Sequence, residues 1–487
     1  MQRLAMRVMN RQRGEKGDPS YKAVPQHWLG DAISAIIALQ TMSLFLLFTA
    51  RPVTAALLTL SAGALLLALN YAKFMVLREP LVLVDVWELN LVFRHPHLYL
   101  PFLPAKRIIA CGAGVMVSVG LLVWLEPALP YLRTWTGGLV LAFLFVAPLL
   151  MLLLMRHGRF TFIAAFLLKC CPVSHDAAKD ALRNGPLTSA FLHPVLAGLI
   201  LREELGYLGN PLVRPARSRW TESFEAKLTE IKTLARSNKD NLPHFLVVQG
   251  ESFSDVRKKF KGEKRAVLSD FLPNWDRLKA KGQTLPTPNG AYGAYTIRSE
   301  FTVLTGLHRE DLGPWAFNPY LLAAKHRLWS LASFFSHLGY QTVCIHPYDK
   351  SFYQRDKVMP NLGFQQFIGI DDLKHLEKFG PYVSDIALAK VVNKLFADSK
   401  TPVFCFVITM EAHGPWLQGR LTPKELADAL GDLAGCTLFK PKKLLYLAHL
   451  KRMDVMLGML ADPVPTKGNP YDRNRSVWMY GDHLPFI

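Results

Sequence analysis

Apolar residues fall into long unbroken runs before about residue 205 and into short, charge-punctuated segments after it. Four runs, at about 28–50, 53–77, 107–126 and 136–155, approach or exceed the ~20 residues a helix needs to cross a bilayer. Two shorter runs come next, at about 160–171 (FTFIAAFLLKCC) and 187–201 (LTSAFLHPVLAGLIL). Between 205 and 242, Trp220, Phe224, Leu228, Ile231 and Leu234 recur at helical spacing with charges between them. That pattern predicts an amphipathic helix packing on the next domain, a membrane-surface role being the alternative. From Pro243 onward, apolar strands at 245–248 (FLVV), 342–345 (TVCI), 403–408 (VFCFVI) and 477–480 (VWMY) alternate with helical stretches. The predicted organisation is therefore an α-helical transmembrane bundle (1–204), a linker (205–242) and an α/β domain with helices on both faces of its sheet (243–487).

Charge adds an orientation. The net charge of +19 gathers at the N-terminus, between the apolar runs, and near 213–240 and 257–265. No basic stripe interleaved with aromatics accompanies it, so anionic lipid head groups rather than nucleic acid are the expected partner. Arg3, Arg7, Arg11, Arg13, Lys16 and Lys22 place the N-terminal segment in the cytoplasm. Arg78, Arg94, Lys106 and Arg107 put the second connection on the same side, and the nearly neutral stretch Glu126 to Arg133 fits the outer side. The first run lies too far from the N-terminus to be a cleaved signal peptide. Four spans return the chain to the cytoplasm, in agreement with Arg156, Arg159 and Lys169. An outward-facing second half then requires a fifth crossing, from 160–171 or 187–201. The six cysteines form no Cys-x-x-Cys pair, which argues against a zinc ribbon or thioredoxin-type site, and Cys344 and Cys405 read as core residues.

The residues after each strand carry the chemistry. Gln249-Gly250-Glu251-Ser252-Phe253 follows the first strand; His346, Tyr348, Asp349 and Arg355-Asp356 follow the second. Glu411-Ala412-His413-Gly414-Pro415 follows the third, and Gly481-Asp482-His483 the fourth. Any one of these reads as a capping loop. Four together, at the strand ends where α/β sheets bind ligands, predict one convergent site. Glu251, Asp482 and His483 form a mixed oxygen and nitrogen donor set suited to Mn²⁺, Zn²⁺ or Mg²⁺, and Gly481 permits the sharp turn that Asp482 and His483 need to share a metal. In Gly293-Ala294-Tyr295-Thr296-Ile297-Arg298-Ser299-Glu300-Phe301, small residues lead into Thr296 and an apolar helical run comes after it. Taken alone, Thr296 is an N-cap. Beside a metal set, its hydroxyl is suited to attack on phosphorus.

This ordered set of motifs (Glu-Ser-Phe, Gly-Ala-Tyr-Thr before Ser-Glu-Phe, Ser-Phe-Tyr-Gln-Arg-Asp, Glu-Ala-His-Gly-Pro and Tyr-Gly-Asp-His) resembles the lipoteichoic acid synthase family of the alkaline phosphatase and sulfatase superfamily. The resemblance covers roughly residues 243–487 and suits the multi-span first half. It implies a sulfatase-like fold and an enzyme that cleaves phosphatidylglycerol and moves glycerol phosphate to an acceptor outside the cytoplasmic membrane, with Mn²⁺. That acceptor is a polyglycerol phosphate chain or an envelope glycan. Carried over by motif, Glu251, Thr296, Asp482 and His483 bind one metal, and Thr296 is also the nucleophile. Arg355 and His413 hold the phosphoglycerol group, and His346, Asp349 and Tyr353 line the pocket. Tyr353 stands where the family more often has tryptophan. The chain ends at Ile487, four residues after His483, where the family continues, which predicts either a trimmed C-terminus or a truncated copy. A true sulfatase needs a Cys/Ser-x-Pro-x-Arg motif, which Thr296-Ile297-Arg298 does not supply. Phosphoethanolamine transferases are the nearest rival, though their disulfide-tied domains match the scattered cysteines less well. A non-catalytic membrane scaffold is the reading from another class.

Overall fold

A computed structural model describes residues 27–77, 79–82, 85–86, 91, 94–96, 105–157, 159–174, 176–193, 195, 233, 242–282, 296–462 and 474–485. The predicted linker helix, the segment before His27 and residues 293–295 lie outside the described residues. The chain divides into two compact units, one taking residues 1–206 with Arg309–Phe317, the other residues 207–308 with Asn318–Ile487.

In the first unit the apolar runs form helices α1 (Trp28–Thr49), α2 (Pro52–Leu77), α3 (Ala105–Leu125) and α4 (Trp135–Arg156), followed by the short α5 (Thr161–Cys170) and α6 (Ala177–Asn184). Three of them, α1, α2 and α4, contain stretches long and apolar enough to cross a membrane, and their side chains remain largely exposed to the surroundings. The chain is thus a membrane protein. Glu126, just past α3, accepts the free N–H groups of Val53 and Thr54 at 2.7 and 2.8 Å, capping the first turn of α2 and setting those two helices antiparallel. Leu129 N donates to Ala50 O at 2.9 Å and Gln40 Nε2 to Phe145 O at 2.8 Å, so α4 runs antiparallel along α1.

Of the two candidates for a fifth crossing, 160–171 is described throughout and 187–201 only at residues 187–193 and 195. The ten residues of α5 reach only about 15 Å, half of a ~30 Å hydrocarbon layer. Beyond α5 the chain folds back on the start of α1: His27 N donates to Arg183 O at 3.0 Å, and Thr188 Oγ1 to Gly30 O at 2.6 Å. Val195 packs with Met155 and Ala164. A short helical segment from the second half of the sequence joins the same unit, where Arg309 pairs with Glu79 at 3.1 Å and Phe317 packs on Val82 and Ala177.

In the second unit β1 (His244–Gly250) is followed by α7 (Glu263–Val267), α8 (Pro273–Lys281) and α9 (Thr296–Thr305). After these come β2 (Gln341–Ile345), α10 (Arg355–Asn361), β3 (Gln366–Ile368), the two-residue strands β4 and β5 (Lys378–Phe379 and Tyr382–Val383), α11 (Asp385–Asp398), β6 (Val403–Ile408), α12 (Pro441–Ala461) and β7 (Arg475–Gly481). The main sheet has the order β3-β2-β6-β1-β7, and every pair in it is parallel. Each strand expected from the sequence lies inside an observed one. Strand β6 is apolar throughout because both faces are covered, as a central parallel strand requires. Cys405 and Val407 point into the core with α11 and α12, while Phe404 stacks on Phe335 across the other face. All the carboxyl ends therefore open on one edge.

Candidate active site

Strands β1 and β7 pair in register with Gly250 opposite Gly481, so Glu251 and Asp482 leave neighbouring strands side by side. Gly481 has no substitute here, because a Cβ would overlap the carbonyl oxygen of Phe253. Ser252 takes a left-handed backbone (φ 54°), which turns its N–H onto Asp482 Oδ1 at 2.7 Å. The same oxygen accepts His483 N at 2.8 Å. Ser252 Oγ donates to Glu251 Oε1 at 3.0 Å, and Glu251 N donates to Thr409 Oγ1 at 2.9 Å, which ties in the end of β6.

Thr296 opens α9. Its Oγ1 donates to Asp482 Oδ2 at 2.8 Å, and one turn on, Ser299 Oγ donates to the Asp482 carbonyl at 2.5 Å. Two hydroxyls thus hold the start of α9 against the end of β7. His483 Nε2 sits 3.4 Å from Glu251 Oε1 and 3.3 Å from Asp482 Oδ2.

This donor set fits a divalent cation. One ligand atom from each of Glu251, Asp482 and His483 lies within 4.8 Å of the others, and both carboxylates are buried. Two buried carboxylates with one imidazole carry an excess negative charge that a low-dielectric pocket does not tolerate without a cation. Their proton affinities reflect this. Burial and then the adjacent Glu251 carboxylate push Asp482 up to about 7. Burial also works to raise Glu251, but His413 and His483 outweigh it and hold Glu251 below its ordinary value. For His483, burial is overcome by Asp482 and Glu251, which raise it to about 9. Without a metal, the site therefore retains protons that a cation would displace.

The residues expected at a phosphate group lie in the segment that runs from the end of β2 into α10, and in the loop after β6. Arg355 is 1% exposed and held by Glu300 in a bidentate pair, Nη2 to Oε2 at 2.9 Å and Nε to Oε1 at 3.2 Å. Its Nη1 is 3.5 Å from His346 Nε2. His346 Nδ1 faces the Ile408 carbonyl at 3.2 Å, so Nδ1 carries the proton, and burial and then Arg355 keep the ring neutral. The ring of Tyr353 lies 5.4 Å from the Arg355 guanidinium carbon. Asp349 caps a turn, accepting Ser351 N at 2.8 Å. His413 Nδ1 faces its neighbour's carbonyl, Gly414 O, at 2.7 Å, which leaves Nε2 as the open acceptor. Burial lowers its proton affinity, with Glu251 opposing.

Glu300 stands in one of the motifs, but sequence reasoning gave it no task, and it is the hub of this layer. Besides Arg355 it accepts Gln249 Nε2 at 3.2 Å and the Tyr320 hydroxyl, while Gln249 in turn accepts the Tyr480 hydroxyl. Its place one turn after Thr296, on the helix that Thr296 opens, was the available signal. Arg420 was also missed. It donates to the carbonyls of Glu411 (3.0 Å) and Pro415 (3.1 Å), the two sides of the His413 loop.

Residues 243–487 match the sulfatase family model. The capsular polysaccharide biosynthesis protein RkpI of Rhizobium meliloti (strain 1021) is 30% identical over 452 residues, covering 90% of this chain and 74% of that protein. A putative cyclic beta-1,2-glucan modification protein of the same organism is 29% identical over 243 residues, covering 50% of this chain, which spans only 36% of that relative's length. Among solved structures, the Streptococcus pyogenes phosphoglycerol transferase GacH, in complex with sn-glycerol-1-phosphate, superposes with a TM-score of 0.39 at 20% identity over 55% of this chain and 68% of that one.

Proposed function

Because the chain belongs to the sulfatase family, we propose that it is a membrane-bound transferase that moves glycerol phosphate from phosphatidylglycerol to a hydroxyl of a cell-envelope glycan, through a phosphothreonine at Thr296. The observation that carries this reading is the Thr296 hydroxyl, set at the first residue of a helix and 2.8 Å from Asp482 inside the Glu251–Asp482–His483 set. Hydroxyl attack on a phosphodiester needs a proton acceptor beside the nucleophile and positive potential at phosphorus. Asp482 Oδ2 is the first, and the free N–H groups of the first turn of α9 contribute to the second.

In the proposed step, Thr296 Oγ forms a bond to phosphorus and its proton passes to Asp482. The bond from phosphorus to the diacylglycerol oxygen breaks, and the leaving alkoxide takes a proton from water, relayed through His413 Nε2. An acceptor hydroxyl then attacks the phosphothreonine, its proton returns by the same route, and Thr296 is restored. Arg355 stabilises the phosphoryl oxygens with its remaining N–H groups, its orientation set by Glu300. A divalent cation held by Glu251, Asp482 and His483, with Mn²⁺ expected and Mg²⁺ or Zn²⁺ as alternatives, would neutralise the carboxylates and acidify the Thr296 hydroxyl. His346 and Tyr353 line the pocket on the Arg355 side, with Asp349 in the same loop.

The names of the two Rhizobium relatives, one concerned with capsular polysaccharide and one with a cyclic glucan, support a glycan acceptor over a polyglycerol phosphate chain. The reaction is proposed to occur on the outer side of a bacterial cytoplasmic membrane. The full-length protein with Mn²⁺, given labelled phosphatidylglycerol or phosphatidylethanolamine, is expected to release diacylglycerol from the first. Release from phosphatidylethanolamine alone would overturn the donor assignment in favour of phosphoethanolamine transfer.

A further inference from the structure

Just past the candidate site, the chain leaves the core and returns to it with a strongly basic stretch between. Val256 anchors one side, Leu268 and Leu272 anchor the other, and all three are fully buried. From Lys258 to Arg265 the sequence carries five cations, Lys258, Lys259, Lys261, Lys264 and Arg265, against the single acid Glu263. Every residue from Lys261 to Val267 is exposed, and Val267 adds an apolar side chain 46% exposed at the end of α7. Arg257 does not contribute to this field. Its guanidinium is neutralised by Asp255 at 2.8 Å and Asp276 at 2.6 Å.

A second basic segment joins it. Phe260 packs edge-on against Phe439 with centroids 5.3 Å apart, and Lys443 lies 5.3 Å from the Phe260 ring. This fixes Lys440, Lys442 and Lys443, at the start of α12, beside the first segment. The position of α12 fixes the edge on which both lie. Its Tyr446 hydroxyl donates to Ser252 O at 2.9 Å, level with the metal-ligand set, while Arg475 at the start of β7 reaches Leu460 O at 3.3 Å near the other end of α12. Lys440 therefore stands roughly 9 Å beyond Tyr446 along the helix axis, out past the carboxyl ends of the strands.

We propose that these two segments form a docking surface for the anionic face of a phospholipid bilayer, on the rim from which the site receives its substrate. The inference rests on the lipid-substrate reading only for its choice of occupant. Charge complementarity favours a bilayer, because the cations are spread over an exposed, one-sided projection and accompanied by an exposed valine. Among the described residues of the two segments no aromatic ring is exposed on which a sugar chain would stack.

The test uses the full-length chain in nanodiscs of phosphatidylcholine alone or with about 30% phosphatidylserine, a lipid that carries the charge without being the proposed donor. Hydrogen exchange is followed in peptides covering residues 257–267. Each cation is expected to contribute about fivefold to docking, so replacing Lys258, Lys261, Lys264 and Arg265 together with Glu should lower the docked population by ~10² or more. The expected result is slower exchange of this stretch in the anionic discs only, abolished by about 0.5 M salt and by the fourfold variant, with the amides of α12 from Tyr446 onward unchanged. Equal exchange in neutral and anionic discs would overturn the proposal, as would equal protection in neutral discs given an anionic polysaccharide. Thr296→Ala should keep the protection, so loss of turnover and loss of docking are read separately.

Discussion

Replacing Glu300 with Gln removes one negative charge from the middle of the second unit while keeping the side chain's shape. Glu300 is fully buried and its carboxylate meets Arg355 through two N–H···O bonds, with Gln249 and Tyr320 on its other lone pairs. Burial works against the Arg355 charge, and Glu300 is the largest influence holding it on, so in Glu300→Gln the guanidinium stays charged, 1% exposed and without its counterion. Breaking a buried pair from one side costs about 3–5 kcal/mol. For a unit of this size each kcal/mol lowers the melting temperature by about 2–4 °C, so a fall of roughly 6–20 °C is expected. The double variant Glu300→Gln/Arg355→Gln should recover part of that loss, since it buries no lone charge. Thermal unfolding of Glu300→Gln, Arg355→Gln and the double variant in the same detergent tests this. A Glu300→Gln melting point within about 1 °C of the parent, or a double variant that loses the sum of the single losses, would refute the reasoning.

Three further outcomes are expected from the geometry. In chelated protein, Asp482 has a folded pKa of about 7 against an ordinary 3.8, so its contribution to stability is full at acid pH and is lost as pH rises through about 7. Melting curves should therefore show the metal-free chain falling away from the Mn²⁺-loaded chain across that window, and parallel curves would contradict the metal assignment. Arg420→Ala frees both sides of the His413 loop and should lower kcat by about 10² with little change in melting temperature, Arg420→Lys restoring only part, whereas an unchanged kcat would remove Arg420 from the positioning of His413. Reporters fused before Trp28 and after residue 205 should fall in opposite compartments, the basic N-terminal segment inside and the second unit outside, as a reaction on the outer face requires; a shared compartment would overturn the outer-side assignment.

The features legible in the sequence were those that repeat or cluster along the chain. The four strands showed as apolar runs because central parallel strands are covered on both faces, and the polar groups after them were visible because chemistry collects at strand ends. Thr296 was legible as a helix start from the small residues before it and the apolar run after it. Strand β3 and the β4–β5 hairpin, of three and two residues each, are too short to carry a period. Glu300 with Arg355, and Arg420 with the His413 loop, are partners brought together only by the fold, which no spacing in one sequence announces. The fifth crossing was the least legible for a related reason. Whether a short apolar run crosses depends on the surfaces that receive it, such as the Gly30–Ser34 face of α1 that Thr188 meets, and no run in one sequence names its receiving surface.

The central claim is that Thr296 carries the transferred group. Full-length protein with Mn²⁺ and phosphatidylglycerol, quenched in acid before acceptor is added and analysed by peptide mass spectrometry, should yield a glycerol phosphate adduct on the peptide bearing Thr296. The adduct should discharge when acceptor glycan is supplied, and Thr296→Ala should form none and lose at least ~10³-fold in diacylglycerol release. An adduct on another residue, or undiminished release by Thr296→Ala, would contradict the account.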